Sequence, residues 1–357
     1  MKVSIFPYMS LEFVNEVTQV QFSERYFNDP EYRHTQDVIM NRKLFDYFSK
    51  HWPEFAPGFS AEPGYTVGVG QAYVIMAALF GSQIAYSDNF HPDCTANPLA
   101  WVTSPDQLQV PDIINTWPMS QYLEQYTSLV AKYGRDRVSL GGFESQAVHS
   151  PHLRGLTMHS PLTTAYKLRG EQLFLDMKDQ PELARRLFAV IRDTYYQICD
   201  LLIATAGHRS DAIFFGACFS SLVSVPIWRA WEMPAIREIA DRYHAKILLH
   251  SCGRSTHILQ PLSELANLQE VHLGDVTDLA EARRLLPAVG FYIVPDSVAW
   301  ARNPPQQTCR SVEAMIAAAA SGPLAFQFVM EGGLPPETLR AVVDTVRRYN
   351  AGCGEAQ

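Results

Sequence analysis

The sequence predicts an α/β chain: a (β/α)8 TIM barrel forming one domain over residues 1–357, with residues 1–80 as an N-terminal elaboration or lid. Three observations carry this. From about residue 155 onward, short apolar runs alternate with amphipathic stretches at helical spacing, as in βα units with parallel pairing. Five or six such units follow one another, which favours a closed barrel over an open sheet. No early Gly-rich dinucleotide fingerprint supports the open alternative, because Gly64 to Gly70 reads G-Y-T-V-G-V-G.

Taken in order, Val3 to Pro7 reads as the first strand and Gln83 to Ser87 as a second, running into Asp88-Asn89-Phe90-His91-Pro92-Asp93-Cys94. The aromatic, Pro-rich stretch from His51 to Tyr65 reads as a long loop or lid. Further strands are expected at Leu156 to His159, Asp211 to Gly216, Lys246 to Leu249, Glu270 to Leu273, Phe291 to Val294 and Leu324 to Met330. Helices are expected at Glu182 to Ala204, Pro234 to His244, Asp278 to Leu286, Ser311 to Ala320 and Pro336 to Tyr349.

A hydrophobic fraction of 47% with 18% charged residues suits a globular chain with a large core. The formal charge of −8 argues against nucleic acid or an anionic membrane as a partner. No segment approaches the roughly 18 unbroken apolar residues of a membrane helix. The N-terminus lacks the apolar core and cleavage site of a signal peptide. Six scattered cysteines show no scaffold-like rhythm, so free thiols in a cytoplasmic protein are expected.

In a barrel, the residues just after each strand crowd together at one mouth. Those ends gather Asp88, His91, Asp93, Cys94, Ser160, Cys218, His250, Cys252, Asp275, Asp296 and Glu331. His250 and Cys252 stand out, because an i, i+2 spacing at a strand end puts both side chains on one side, within reach of one tetrahedral zinc ion. The plain alternative is a buried, hydrogen-bonded histidine beside a packed thiol. Glu331 precedes two glycines and could be a third metal ligand or a general base; a solvated turn carboxylate is the alternative. Cys218 could complete a His-Cys-Cys set, contact substrate, or pack as a core thiol. Asp88 and Asp296 are candidate acid–base groups, or else helix caps and turn residues. Ser160 and His91 are candidate substrate contacts. His159, His257 and His272 read as structural histidines, and Lys178, Arg283 and Arg284 as solvated helix faces.

Several segments together resemble the uroporphyrinogen decarboxylase superfamily, and within it the zinc-dependent methyltransferases that act with corrinoid proteins. Ser160-Pro161-Leu162-Thr163-Thr164-Ala165 with Leu168-Arg169-Gly170 is similar to the superfamily's G-P-L-T block, and Met177 to Leu187 to its D-x-P-E helix. Phe80-Gly81 through Asp112, Leu249-His250-Ser251-Cys252-Gly253 and Gly332-Gly333-Leu334-Pro335-Pro336-Glu337 resemble further blocks. The resemblance implies a barrel with its site at the C-terminal mouth, and a metal-bound thiolate that accepts a methyl group from a corrinoid. Two departures stand out. The decarboxylases' arginine-rich N-terminal block is missing, since Ser10-Leu11-Glu12-Phe13 stands there. The methyltransferases' later cysteine ligand is also missing, because Phe328 to Gly332 contains none.

The sequence therefore leads to a metal-dependent methyltransferase working on a small-molecule substrate, with zinc, a corrinoid on a partner protein, and a homodimer as expected company. The alternatives are a metal-independent lyase or decarboxylase acting through Asp88 or Asp296, and a non-catalytic corrinoid- or metabolite-binding barrel.

Overall fold

Six strands of an eight-stranded sheet carry the candidate site: β1 (Val3–Met9), β2 (Ala212–Gly216), β3 (Lys246–Ser251), β4 (Leu268–Gly274), β5 (Gly290–Val294) and β6 (Leu324–Met330). The computed structural model describes residues 2–146, 154–206, 211–319, 321–332 and 336–354. All six strands belong to one of two compact units, which comprises Met1–Phe13, Gln146–Leu153 and Asp211–Gln357. Their order is β1-β6-β5-β4-β3-β2, and every neighbouring pair is parallel.

Parallel pairing requires a crossover between consecutive strands, and the sequence supplies helices for it. These include α1 (Met233–Arg242), α2 (Leu279–Leu285) and α3 (Pro305–Ala319), while α4 (Pro336–Gly354) follows the last strand. α1 buries Ile236, Ile239 and Ala240, an i, i+3, i+4 stripe. α2 starts where Asp278 accepts a hydrogen bond from the Glu281 amide at 2.9 Å. Every residue of β6 is buried, as expected for a parallel strand covered on both faces. Phe291, Ile293, Phe326 and Phe328 are wholly buried, and each such side chain contributes roughly 1.5–3 kcal/mol to folding.

The expected strands of this unit are present, with ends displaced by a residue or two. The expected helix Pro234 to His244 stops at Arg242 because His244 takes a positive φ of 51°, where a helix cannot continue. Arg283 departs from the solvated face expected of it. It is buried, its guanidinium lies 3.7 Å from the centre of the Phe291 ring, and it donates to the carbonyls of Ala319, Leu286, Pro287, Val289 and Pro323. Burial pushes its pKa down to about 10. Arg284, one residue on, is exposed and paired with Glu281, as expected.

The other unit comprises Val14–Ser145 and Arg154–Ser210. Its 22-residue helix Pro30–His51 was not foreseen, although Asp29 caps it by accepting from the Tyr32 amide and Pro30 opens it. The expected loop from His51 to Tyr65 contains a single turn, Ala56–Gly58, and ends in a strand, Tyr65–Val67, paired in parallel with Val138–Leu140. Trp52 and Ala56 are buried, and Phe59 packs 4.9 Å from Phe48, so these side chains pin the first half of the stretch to the unit's core. The expected strand Gln83 to Ser87 is also corrected. Only Ile84–Ala85 pairs, antiparallel to Asp93–Cys94, because the polar run to Pro92 turns the chain back. Arg154–His159 is a strand, followed by helices Pro161–Arg169 and Pro181–Ala206. Among the described residues, no helix is long and apolar enough to cross a membrane.

Candidate metal centre

Strands β2 and β3 run side by side, and the chemistry gathers just beyond their carboxyl ends. In register, Gly216 faces His250 across the ladder, and the Ala217 amide donates to the His250 carbonyl at 2.7 Å. The chain after β2 is thereby held along the end of β3 and turns at once into a short 3-10 helix, Cys218–Leu222. Cys218 opens that turn, while Cys252 stands one residue past the last residue of β3.

The glycine of the H-x-C-G motif has a geometric reason. A β-carbon at Gly253 would lie 2.5 Å from Ser221 Oγ and 2.7 Å from Ser221 Cβ. Ser221 in turn donates to the Cys218 carbonyl at 3.0 Å, closing the 3-10 turn. A side chain at position 253 would therefore push the two cysteine-bearing segments apart.

The result is a cluster in which Cys218, His250 and Cys252 each offer a ligand atom, all within 4.8 Å of one another. The two sulfurs lie 3.8 Å apart. That equals the edge of a tetrahedron whose metal–sulfur bonds are about 2.3 Å, which gives about 3.8 Å. Its contact with Cys218 first, and then that with the His250 ring, pull the Cys252 pKa down to about 4 against the opposing effect of burial. A thiolate is the form that ligates a metal. Two thiolates and an imidazole are a soft donor set suited to zinc, with one tetrahedral position left over. Cys218 and His250 are half-buried and Cys252 is exposed.

A buried polar row lies behind this cluster. His250 and His272 are cross-strand partners, with their Nδ1 atoms 3.3 Å apart. His272 Nε2 is 3.0 Å from a carboxylate oxygen of Glu270, which is 1% exposed. The His272 ring packs 4.4 Å from that of Tyr292 and 5.3 Å from that of Phe214. Burial first, and then the Glu270 charge, raise the pKa of the Tyr292 hydroxyl. Sequence reading treated His272 as an isolated histidine and passed over Glu270. The available signal was a carboxylate two residues before a histidine within one strand, a spacing that puts both on the same face.

Glu331 is not a member of the thiol–imidazole group. It is half-buried just past β6, where Ser297 Oγ donates to it at 2.8 Å. Burial, and then the Glu331 charge, raise the pKa of Tyr8 on β1. Asp296 caps the helix Ser297–Arg302 by accepting from the Ala299 amide, and its own amide donates to Asp275 at 2.9 Å. His257 lies 2.9 Å from the Val223 carbonyl, a structural role as expected.

Asp88, His91 and Ser160 belong to the other unit. Asp88 and His91 are exposed, and the Asp88 carbonyl accepts from the Phe22 amide at 2.8 Å. Ser160 is wholly buried and caps the helix Pro161–Arg169, its hydroxyl also donating to Thr163 Oγ1 at 3.1 Å. Of the motif Gly332 to Glu337, residues 333–335 lie outside the described residues.

A parallel α/β sheet with thiols, imidazole and carboxylates collected at the carboxyl ends of its strands is an enzyme architecture. The comparisons give it a family. Residues 67–349 match the uroporphyrinogen decarboxylase (URO-D) family, and the chain belongs to that family. Among solved structures it is similar to a methyltransferase from Methanosarcina mazei, at 14% identity and a TM-score of 0.62, over 98% of this chain and 93% of that one. It is also similar to a B12-independent methionine synthase from a Shewanella species, solved in complex with selenomethionine. That match has 12% identity and a TM-score of 0.39, over 65% of this chain and 68% of that one. No curated protein sequence matches the chain.

Proposed function

We propose that this chain is a metal-dependent methyltransferase of the URO-D family. Cys218, His250 and Cys252 hold zinc, and a methyl group passes between a small or corrinoid donor and a thiol. One observation carries the reading: two thiols and an imidazole converge within 4.8 Å at the ends of adjacent parallel strands, with the sulfurs at a tetrahedral spacing. Methyl transfer is taken from the name of the Methanosarcina mazei protein, whose fold this chain shares. In this reading the sheet closes into a (β/α)8 barrel and the enzyme acts in the cytoplasm. A corrinoid protein brings the donor, and a homodimer is the working assembly.

Bound zinc supplies Lewis acidity that makes a coordinated substrate thiol a thiolate near neutral pH. The chain's own part is to hold and shape. Cys252 and Cys218 provide the anionic charge, and His250 completes the set from β3. Glu331, fixed by Ser297, is the acid–base candidate at the same ends of the sheet.

Elemental analysis tests the reading. Wild-type protein is expected to carry about one zinc per chain, and His250→Ala and Cys252→Ala to carry none. Equal and negligible metal in all three would sink it. The family's name favours a second reading, decarboxylation of a small carboxylated substrate through Asp88 or Asp296. Turnover that survives chelation but is lost in Asp88→Asn or Asp296→Asn would establish that reading instead.

A further inference from the structure

We propose that Glu270 and His272 form a positioning relay that fixes which nitrogen of His250 faces the two thiols. The inference rests on the metal reading above and deepens it. Its logic is donor arithmetic. A carboxylate only accepts, so the 3.0 Å contact between Glu270 and His272 Nε2 places the hydrogen of the neutral His272 ring on Nε2. Its Nδ1 is then bare and can only accept. The neighbouring Nδ1 of His250, 3.3 Å away, must therefore carry the hydrogen and donate it. That leaves Nε2 of His250 as the lone-pair nitrogen, the form a metal requires. The hydrogens run in one direction, from His250 to His272 to Glu270.

The packing supports such a role. Glu270 and His272 alternate along β4 and so point to the same face, and His272 is the register partner of His250 on β3. Glu270 is 1% exposed and His272 is 8% exposed, so little water competes for these hydrogen bonds. The rings of Tyr292 and Phe214 flank His272 and restrict its tilt. A metal-ligating histidine usually passes its second ring hydrogen to a carboxylate or carbonyl. Here a second histidine is interposed, which sets the carboxylate one ring further from the metal.

Titrating metal-free protein with Co2+, followed by thiolate charge-transfer and d–d absorption, tests the relay without any assay of turnover. Wild type should bind, and Cys252→Ala should lose the thiolate band. His272→Phe keeps a ring but no hydrogen bond, and should weaken Co2+ binding roughly 10- to 100-fold. His272→Gln, whose carbonyl can accept from His250, should recover part of that loss. Thermal unfolding of the metal-free proteins separates positioning from plain structural support. A structural role would lower the melting temperature and leave the affinity of the folded protein unchanged. If His272→Phe does not fold, Glu270→Leu, which cannot accept from His272, decides, with an expected loss of roughly tenfold. Wild-type affinity in His272→Phe and Glu270→Leu, with Cys252→Ala still defective, would overturn the relay and leave the metal reading intact. Failure of wild type to bind Co2+ would overturn both.

Discussion

The amide of Ala217 donates to the carbonyl of His250 at 2.7 Å, and this single main-chain hydrogen bond ties the turn bearing Cys218 to the strand that leads to Cys252. The candidate centre is thus assembled by backbone pairing between two adjacent parallel strands, and its side chains inherit the precision of a sheet. Four consequences can be measured.

Metal loading should stabilise the fold. A ligand that binds only the native state adds about 4.1 kcal/mol at a thousand times its Kd. Differential scanning calorimetry with and without zinc should show a clear rise in Tm for wild type. Cys252→Ser and His250→Ala should show almost none, and EDTA should return wild type to their level.

Gly253→Ala should leave the protein folded but loosen the centre. The added methyl meets Ser221 at 2.5 Å, so either the 3-10 turn or the loop after β3 must move, and with it one of the two sulfurs. A loss of metal affinity of roughly tenfold, about 1.4 kcal/mol, is expected from competition against a chromogenic chelator. Affinity equal to wild type would show that Ser221 yields without disturbing Cys218.

Arg283→Met should destabilise the protein by about 3 kcal/mol or more, because the carbonyls that this side chain satisfies lose their donor in a buried place. Urea denaturation is the measurement. Arg284→Ala, on the exposed side of the same helix, should leave the midpoint in place.

The stability of the protein should carry a pH signature from Asp37. Burial raises the pKa of this carboxyl above the ordinary value, with Arg33 and the hydrogen bond from Tyr26 partly opposing. The folded chain therefore keeps the proton to higher pH than the unfolded chain does. The contribution is present in full below the unfolded value of about 3.9, and is lost as pH rises through the folded value. Unfolding free energies measured across that window should fall less steeply with pH in Asp37→Asn than in wild type.

The alternation of apolar runs and helical stretches was legible after residue 155, because parallel strands buried on both faces read as unbroken hydrophobic runs. The helix Pro30–His51 was not, since its polar and aromatic residues are spread round its circumference, and only the Asp29-Pro30 capping signal marks its start. His250 and Cys252 could be paired from their spacing alone. Cys218 could be placed beside them only once β2 and β3 were known to be neighbours, a fact of topology that local sequence does not hold. Arg283 was misread because Glu281, Arg283 and Arg284 look like one charged face. A helix turns about 100° per residue, so adjacent arginines point to different surroundings. Glu270 and His272 were not read as a pair because a charged residue in a strand reads as an exposed edge until its partner two residues along is identified.

The unequal exposure of the three cluster residues gives the centre a front and a back. Cys252 is open to solvent while Cys218 and His250 sit half-buried. A metal held by these three residues would therefore be approached from the Cys252 side. Under the proposed function, a thiol would arrive from that flank, and bulk added at the residues beside Cys252 would screen its entry while leaving the three ligand residues in place.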